Sequence, residues 1–303
     1  MTTPAQLKEM MHGVQCIVIT PFKEDGSLDL DGLKFNLNRM LDMGAHGMIV
    51  GGSLGEFSSM TMEERKLLFK TSVEAVNHKA PVVCCVADSH IVRCIELAQY
   101  AESIGADGVM CTAPYYAACP DEGVIRHYET LAANTKLGIV AYNTGRAGRN
   151  MTPKFLEQLV ARVPQIVALK QGTRNVEELE ETVWRIGDKV SCICGSEVMA
   201  LAGLALGYVG TTSTNASFMT NIIVDLYNAC MANDYPKARD IFYNGWGKYR
   251  RLMQDRGKQP STTKAAMNIL GIPAGPVRAP QVELSDELKA ELKEILNEMD
   301  LRV

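Results

Sequence analysis

Short apolar runs recur along the chain, each followed by a longer stretch with apolar residues every three or four positions. The runs are 14–20 (VQCIVIT), 47–52 (GMIVGG), 81–87 (PVVCCVA), 108–114 (GVMCTAP), 137–143 (LGIVAYN), 165–170 (QIVALK), 190–195 (VSCICG) and 209–214 (VGTTST), eight in all. Runs of this length, rich in small and β-branched residues and bounded by Gly or Pro, read as buried strands. The pieces between them, such as 62–76 (MEERKLLFKTSVEAV) and 91–104 (IVRCIELAQYAESI), carry the period of amphipathic helices. Strands alternating with helices predict a parallel sheet.

A weak internal repeat supports that pairing. Gly44-Ala45-His46-Gly47, Gly105-Ala106-Asp107-Gly108 and Gly207-Tyr208-Val209-Gly210 each stand between a predicted helix and an even-numbered strand. The first glycine of each supplies the left-handed conformation that ends a helix. Eight such units over about 215 residues suit an α/β (β/α)8 TIM barrel better than an open doubly wound sheet. The eighth run is the most polar of the set. Beyond residue 217 no strand pattern remains, and segments 218–232, 235–254, 261–270 and 285–299 all read as helix. Ser285 is a good N-cap for the last of them, and Pro273, Pro276 and Pro280 break the chain before it. The division expected is a barrel over 1–232 carrying the active site, with a C-terminal helical extension over 233–303 packed on it.

Composition narrows the functional classes. A 303-residue chain with 47% hydrophobic and 22% charged residues and a net charge of −4 is an ordinary globular composition. Acids and bases are interspersed, so no nucleic-acid footprint is present and no nucleic acid is expected as partner. No apolar run is long enough to cross a bilayer, and the N-terminal segment MTTPAQLKEMMHG lacks the apolar core of a secretory signal. A cytoplasmic protein is expected. Most of the nine cysteines fall inside the apolar runs, where free thiols pack as small hydrophobes. Neither Cys192-Ile193-Cys194 nor the five histidines show ligand-pair spacing, so neither metal nor cofactor is expected.

In a barrel of this kind the chemistry sits where strands end at their C-terminal side. The first ends at Thr20-Pro21 and the second runs into Gly52-Ser53-Leu54-Gly55-Glu56. The third ends at Asp88-Ser89-His90 and the fourth at Pro114-Tyr115-Tyr116. The next three end at Tyr142-Asn143, at Lys170, and at Gly195-Ser196-Glu197. Asp88-Ser89-His90 is no catalytic triad, since three adjacent residues cannot converge as residues from separate loops do. Lys170 closes an apolar strand, an unusual end for a core element because lysine is rarely buried without a partner. Alternation places Ala168 and Ile166 on the inward face with Lys170, and Val140 and Gly138 inward with Tyr142 on the neighbouring strand. With strands about 4.8 Å apart, phenol and amine can meet. Burial disfavours a charged amine, leaving a nucleophile that converts a ketone to an iminium, an electron sink for carbon–carbon cleavage or α-proton loss. The bland alternative is a structural ion pair.

Several of these segments, taken in order, resemble the dihydrodipicolinate synthase / N-acetylneuraminate lyase family of class I, Schiff-base aldolases. They are TPFKEDGSLD, GGSLGE, APYY, AYN followed by an arginine, ALKQGT and KAAMNILGIPAGPVRAP, which together span nearly the whole chain. The resemblance implies Lys170 as the Schiff-base lysine for pyruvate or another 2-oxo acid and Tyr142 as general acid/base. It implies Ser53 and Tyr116 as proton relays, with Tyr116 reaching a neighbouring subunit of a homotetramer. Gly52, Ser53 and Leu54 would hold the substrate carboxylate through the backbone. Arg146 and the ends of strands seven and eight, including Thr212, would select the rest of the substrate. Three positions depart from the family pattern. Leu54 replaces a second hydroxyl, Thr144-Gly145-Arg146 is shorter by one residue, and Gln171 stands where an acid often follows the lysine. They favour a lyase acting on a hydroxy- or deoxy-2-oxo acid over 4-hydroxy-tetrahydrodipicolinate synthase, which condenses pyruvate with aspartate semialdehyde. A non-catalytic 2-oxo-acid binder and a metal-dependent aldolase are further alternatives.

Overall fold

A computed structural model of the protein describes residues 1–117, 119–253 and 259–302. Eight parallel strands, β1 (Gly13–Ile17), β2 (Gly47–Val50), β3 (Val82–Cys85), β4 (Gly108–Thr112), β5 (Gly138–Asn143), β6 (Ile166–Gln171), β7 (Ser191–Cys194) and β8 (Gly210–Ser213), follow one another around a closed barrel, β8 pairing with β1. The polar eighth run does form a strand. Helix α1 (Pro4–Met10) precedes the barrel, and α2 (Leu30–Asp42), α3 (Met62–Val76), α4 (Ile91–Ser103), α5 (Asp121–Ala132), α6 (Pro153–Arg162), α7 (Val176–Ile186), α8 (Ala200–Ala205) and α9 (Ala216–Met231) follow successive strands. Gly44, Gly105 and Gly207, the repeat glycines, have φ of 88°, 80° and 102°, the left-handed backbone their position at helix ends requires. No helix among the described residues is long and apolar enough to cross a membrane.

The core has two layers. The larger lies between strands and helices, and a smaller one fills the barrel with Ile17, Ile49, Val83, Cys85, Met110, Val140, Val167, Ala168 and Ile193. Strict alternation along β6 fails at its start. Ile139 pairs with Ile166 but Val140 pairs with Ala168, so β6 carries an extra residue there. That bulge turns Val167 into the barrel and Ile166 out to the helix layer, against the sequence expectation. The parity from Ala168 to Lys170 is unaffected.

Helix α1 closes the N-terminal end of the barrel. A capping box of Thr3 and Gln6 starts it, and Leu7 and Met11 join the inner layer with no exposed surface. A Cβ on Gly108 or Gly138 would lie 2.4 or 2.8 Å from a Leu7 methyl. Both strand-opening glycines therefore make room for this plug. After α9 come α10 (Tyr235–Asp240), α11 (Gly247–Met253), α12 (Ser261–Ile269) and α13 (Asp286–Asn297). Ser285 caps α13 as expected, accepting from the Leu288 N–H. The single helix expected over 235–254 is instead interrupted by a π-helical turn, Ile241–Trp246, and its residue 254 lies outside the described residues. Gly245 abuts Ile222 of α9, where a Cβ would sit 3.0 Å from a methyl. The wider turn re-aims the residues that follow.

Candidate active site

Tyr142 and Lys170 are directly paired across β5 and β6, at the C-terminal end of the barrel. The Lys170 Nζ lies 4.0 Å from the centre of the Tyr142 ring, and the residues are 4% and 9% exposed. The aromatic face is thus the partner that a buried lysine needs, through a cation–π contact. Burial pushes the Tyr142 phenol up, but the Lys170 charge, a hydrogen bond with Thr144 and the Arg146 charge together bring it below the ordinary tyrosine value. A phenol so placed gives up its proton more readily than a free one. Two glycines keep the pair accessible. A Cβ on Gly195 would stand 3.0 Å from Lys170 Cγ and 2.8 Å from the Gln171 carbonyl oxygen. On Gly172 it would stand 2.7 Å from the Asn143 carbonyl oxygen. Gln171 itself is fully buried and accepts from Asn143 Nδ2 at 2.8 Å, tying the ends of β5 and β6.

The turn after β2 is held from several sides. Gly51 takes φ of 64°, where Phe69 would be 2.9 Å from a Cβ, and a 3-10 turn follows over Ser53–Gly55. The Gly55 carbonyl accepts from Thr20 Oγ1 at 2.7 Å. Glu56, left-handed at φ 58°, sends its carboxylate to the buried Lys264 ammonium of α12, 2.7 Å away, and accepts from the Arg278 N–H. The C-terminal segment thereby fixes the turn.

A cavity of about 570 Å³ opens above the lysine. It gathers Lys170, Tyr142, Arg146, Leu54 and Thr212 of the residues expected at the site, while Gly52 and Ser53 stand beside Leu54 in the turn without lining it. Tyr116 is not brought there at all. Its backbone is left-handed at φ 79° and its side chain is wholly exposed. Residue-level reading also omitted several groups that line the cavity. Arg174 follows β6, and Trp246, Tyr249 and Arg250 come from the C-terminal helices. Arg174 lies in the loop after the lysine strand and was open to notice. The other three depend on long-range packing that no local pattern announces. Glu197, which ends the seventh segment, is half-buried and accepts hydrogen bonds from Ser213 Oγ and from Asn215 Nδ2, the latter at 2.6 Å. Burial pushes its carboxyl up despite those donors.

The model of the dihydrodipicolinate synthetase family matches residues 10–299. The chain belongs to this family. Among its relatives are the 4-hydroxy-tetrahydrodipicolinate synthases of Methanocaldococcus jannaschii, 31% identical over 96% of this chain and all of that one, and of Methanoculleus marisnigri, 33% identical over 95% and 99%. Among solved structures, dihydrodipicolinate synthase from Aquifex aeolicus aligns with a TM-score of 0.91 at 27% identity, covering 97% of this chain and all of that one. A prophage protein of the family from E. coli K12, solved in complex with pyruvate, aligns at 0.89 and 26%, covering 96% and 99%. Family membership makes the protein a lyase.

Proposed function

We propose that the protein is a Schiff-base-forming lyase that works on pyruvate or a larger 2-oxo acid without cofactor. The observation that carries this reading is the Lys170 amine, held over the Tyr142 ring at 4.0 Å at the mouth of the barrel. Once the Lys170 ammonium has given a proton to solvent, its amine attacks the 2-oxo carbon, and loss of water from the carbinolamine leaves an iminium. Tyr142 delivers a proton to the departing oxygen and then exchanges one with the reacting carbons, a task suited to its lowered pKa. Backbone N–H groups of the 52–54 turn receive the carboxylate. Ser53 relays protons from that turn, and Tyr116, directed away from its own cavity, serves a neighbouring copy in a homotetramer. The outer cavity, with Arg146, Arg174 and Arg250 on its wall, suits a substrate whose distal part carries a further acidic group, and Thr212 contacts that part. A cytoplasmic setting accords with the many free thiols.

Incubation with pyruvate and borohydride should add one reduced pyruvyl group to the intact chain, and Lys170→Ala should abolish the adduct. An unchanged mass in the wild type, or an adduct in the variant, overturns the reading. A second reading, synthesis of 4-hydroxy-tetrahydrodipicolinate from pyruvate and aspartate semialdehyde, is favoured by the printed function of the relatives above and by Arg146 at the cavity. Turnover in a coupled assay with that aldehyde, against a panel of 4-hydroxy- and 3-deoxy-2-oxo acids, separates the two.

A further inference from the structure

On the far side of β4 from the barrel interior, three elements bring together groups that the proposed reaction does not use. Cys111 of β4, Cys94 of α4 and His127 of α5 are all buried, and one ligand atom from each lies within 4.8 Å of the other two. Cys111 Sγ stands 3.4 Å from His127 Nε2. Their separations in sequence, 17 and 16 residues, match no short ligand motif. The strand–helix repeat makes the cluster, because α4 and α5 flank β4 on the outer surface.

We infer that Cys94, Cys111 and His127 form a binding site for a thiophilic closed-shell divalent cation of the zinc type. Metal–ligand lengths of about 2.3 Å to sulfur and 2.0–2.1 Å to nitrogen, set tetrahedrally, place sulfur and nitrogen about 3.6 Å apart and two sulfurs about 3.8 Å apart. The Cys111–His127 pair already has that spacing at 3.4 Å, and the Cys94 sulfur lies within 4.8 Å of both, so side-chain adjustment alone can bring the three atoms onto one ion. Two thiolates balance a divalent charge, and binding releases the two thiol protons. Two sulfurs and one nitrogen leave a single tetrahedral position, for which one nearby carbonyl oxygen or a water would serve. The Asp88 oxygen is 3.5 Å from Cys94 Sγ and the Thr112 oxygen is 3.4 Å from Cys111 Sγ. A hydrogen-bonded thiol cluster with no ion is the competing description.

The test uses the full-length protein, stripped with chelator under reducing conditions and titrated with zinc against a chromophoric competitor. One equivalent per chain should bind, with release of two protons. Zinc-edge X-ray absorption of the loaded protein should show two sulfur neighbours. Cys94→Ala and His127→Gln, checked for fold by circular dichroism, should each lose at least the roughly 100-fold in affinity that even outer partners of a metal can contribute. Cys230→Ala, a buried thiol elsewhere, should bind as wild type. Absence of stoichiometric binding, or a zinc shell without sulfur, overturns the site. So does equal affinity in folded Cys94→Ala. The absorption measurement needs only wild-type protein, so a variant that fails to fold does not leave the question open.

Discussion

A few side chains and the glycines beside them decide what this site can do. Gly195 leaves room for the Lys170 stem, since a methyl there meets both Lys170 Cγ and the Gln171 carbonyl. Gly195→Ala should slow borohydride trapping with pyruvate and lower stability by about 1–3 kcal/mol, as overpacking does; trapping rates and urea denaturation check both. Tyr142→Phe should leave trapping possible but slow turnover by about 10²–10⁴-fold, the range for loss of a general acid/base, and should remove an alkaline limb lying below the ordinary tyrosine value. His127 sets a different dependence. Burial holds its imidazole down at about 4 against 6.5 for a free one. Between those values the unfolded chain binds a proton that the folded chain refuses, so stability rises with pH across this window and is lost as pH falls from 6.5 toward 4. The full effect is about 3 kcal/mol. Chelated wild type and His127→Gln, compared by denaturant unfolding at pH 7 and pH 4.5, should differ in slope, the variant being flatter.

Among the elements, legibility followed how local each cause was. Seven of the strands were readable as short apolar runs, the polar eighth only from its place in the alternation with helices, and the repeat glycines announced the left-handed helix ends. Lys170 and Tyr142 were readable because strand ends and parity are local too. The features that escaped are those set by a distant partner. The bulge at the start of β6 arises from its pairing with β5. The π turn before Trp246 sits where Gly245 meets α9, and it carries Trp246 and Arg250 to the cavity. Helix α1 is short and looks like a mere N-terminal segment until Gly108 and Gly138 are seen to make room for Leu7. Leu7→Ala should cost about 2–5 kcal/mol, the range for emptying a packed leucine site, measured by chemical denaturation, with little change in kcat of the protein that remains folded.

Across the whole molecule, the C-terminal helices act as a brace on the active-site turn. Lys264 is fully enclosed, 2.7 Å from Glu56, and donates to the Pro276 carbonyl at 2.7 Å. Arg278 forks onto Glu64 of α3. Removing one partner of a buried pair leaves an unmatched charge, so Lys264→Met should destabilise by about 3–5 kcal/mol, and Lys264→Met with Glu56→Leu should recover part of that. A double-mutant cycle read by urea unfolding tests it, and a raised KM for pyruvate in the single variant would locate the damage at the 52–54 turn. The plug formed by α1 has a consequence for traffic. A vessel sealed at its base is filled and emptied through the same opening, so whatever is tethered to the deep amine stays behind any fragment resting nearer the rim. Departure is then ordered, outer piece before inner, and product inhibition by the keto acid should be competitive with the whole substrate.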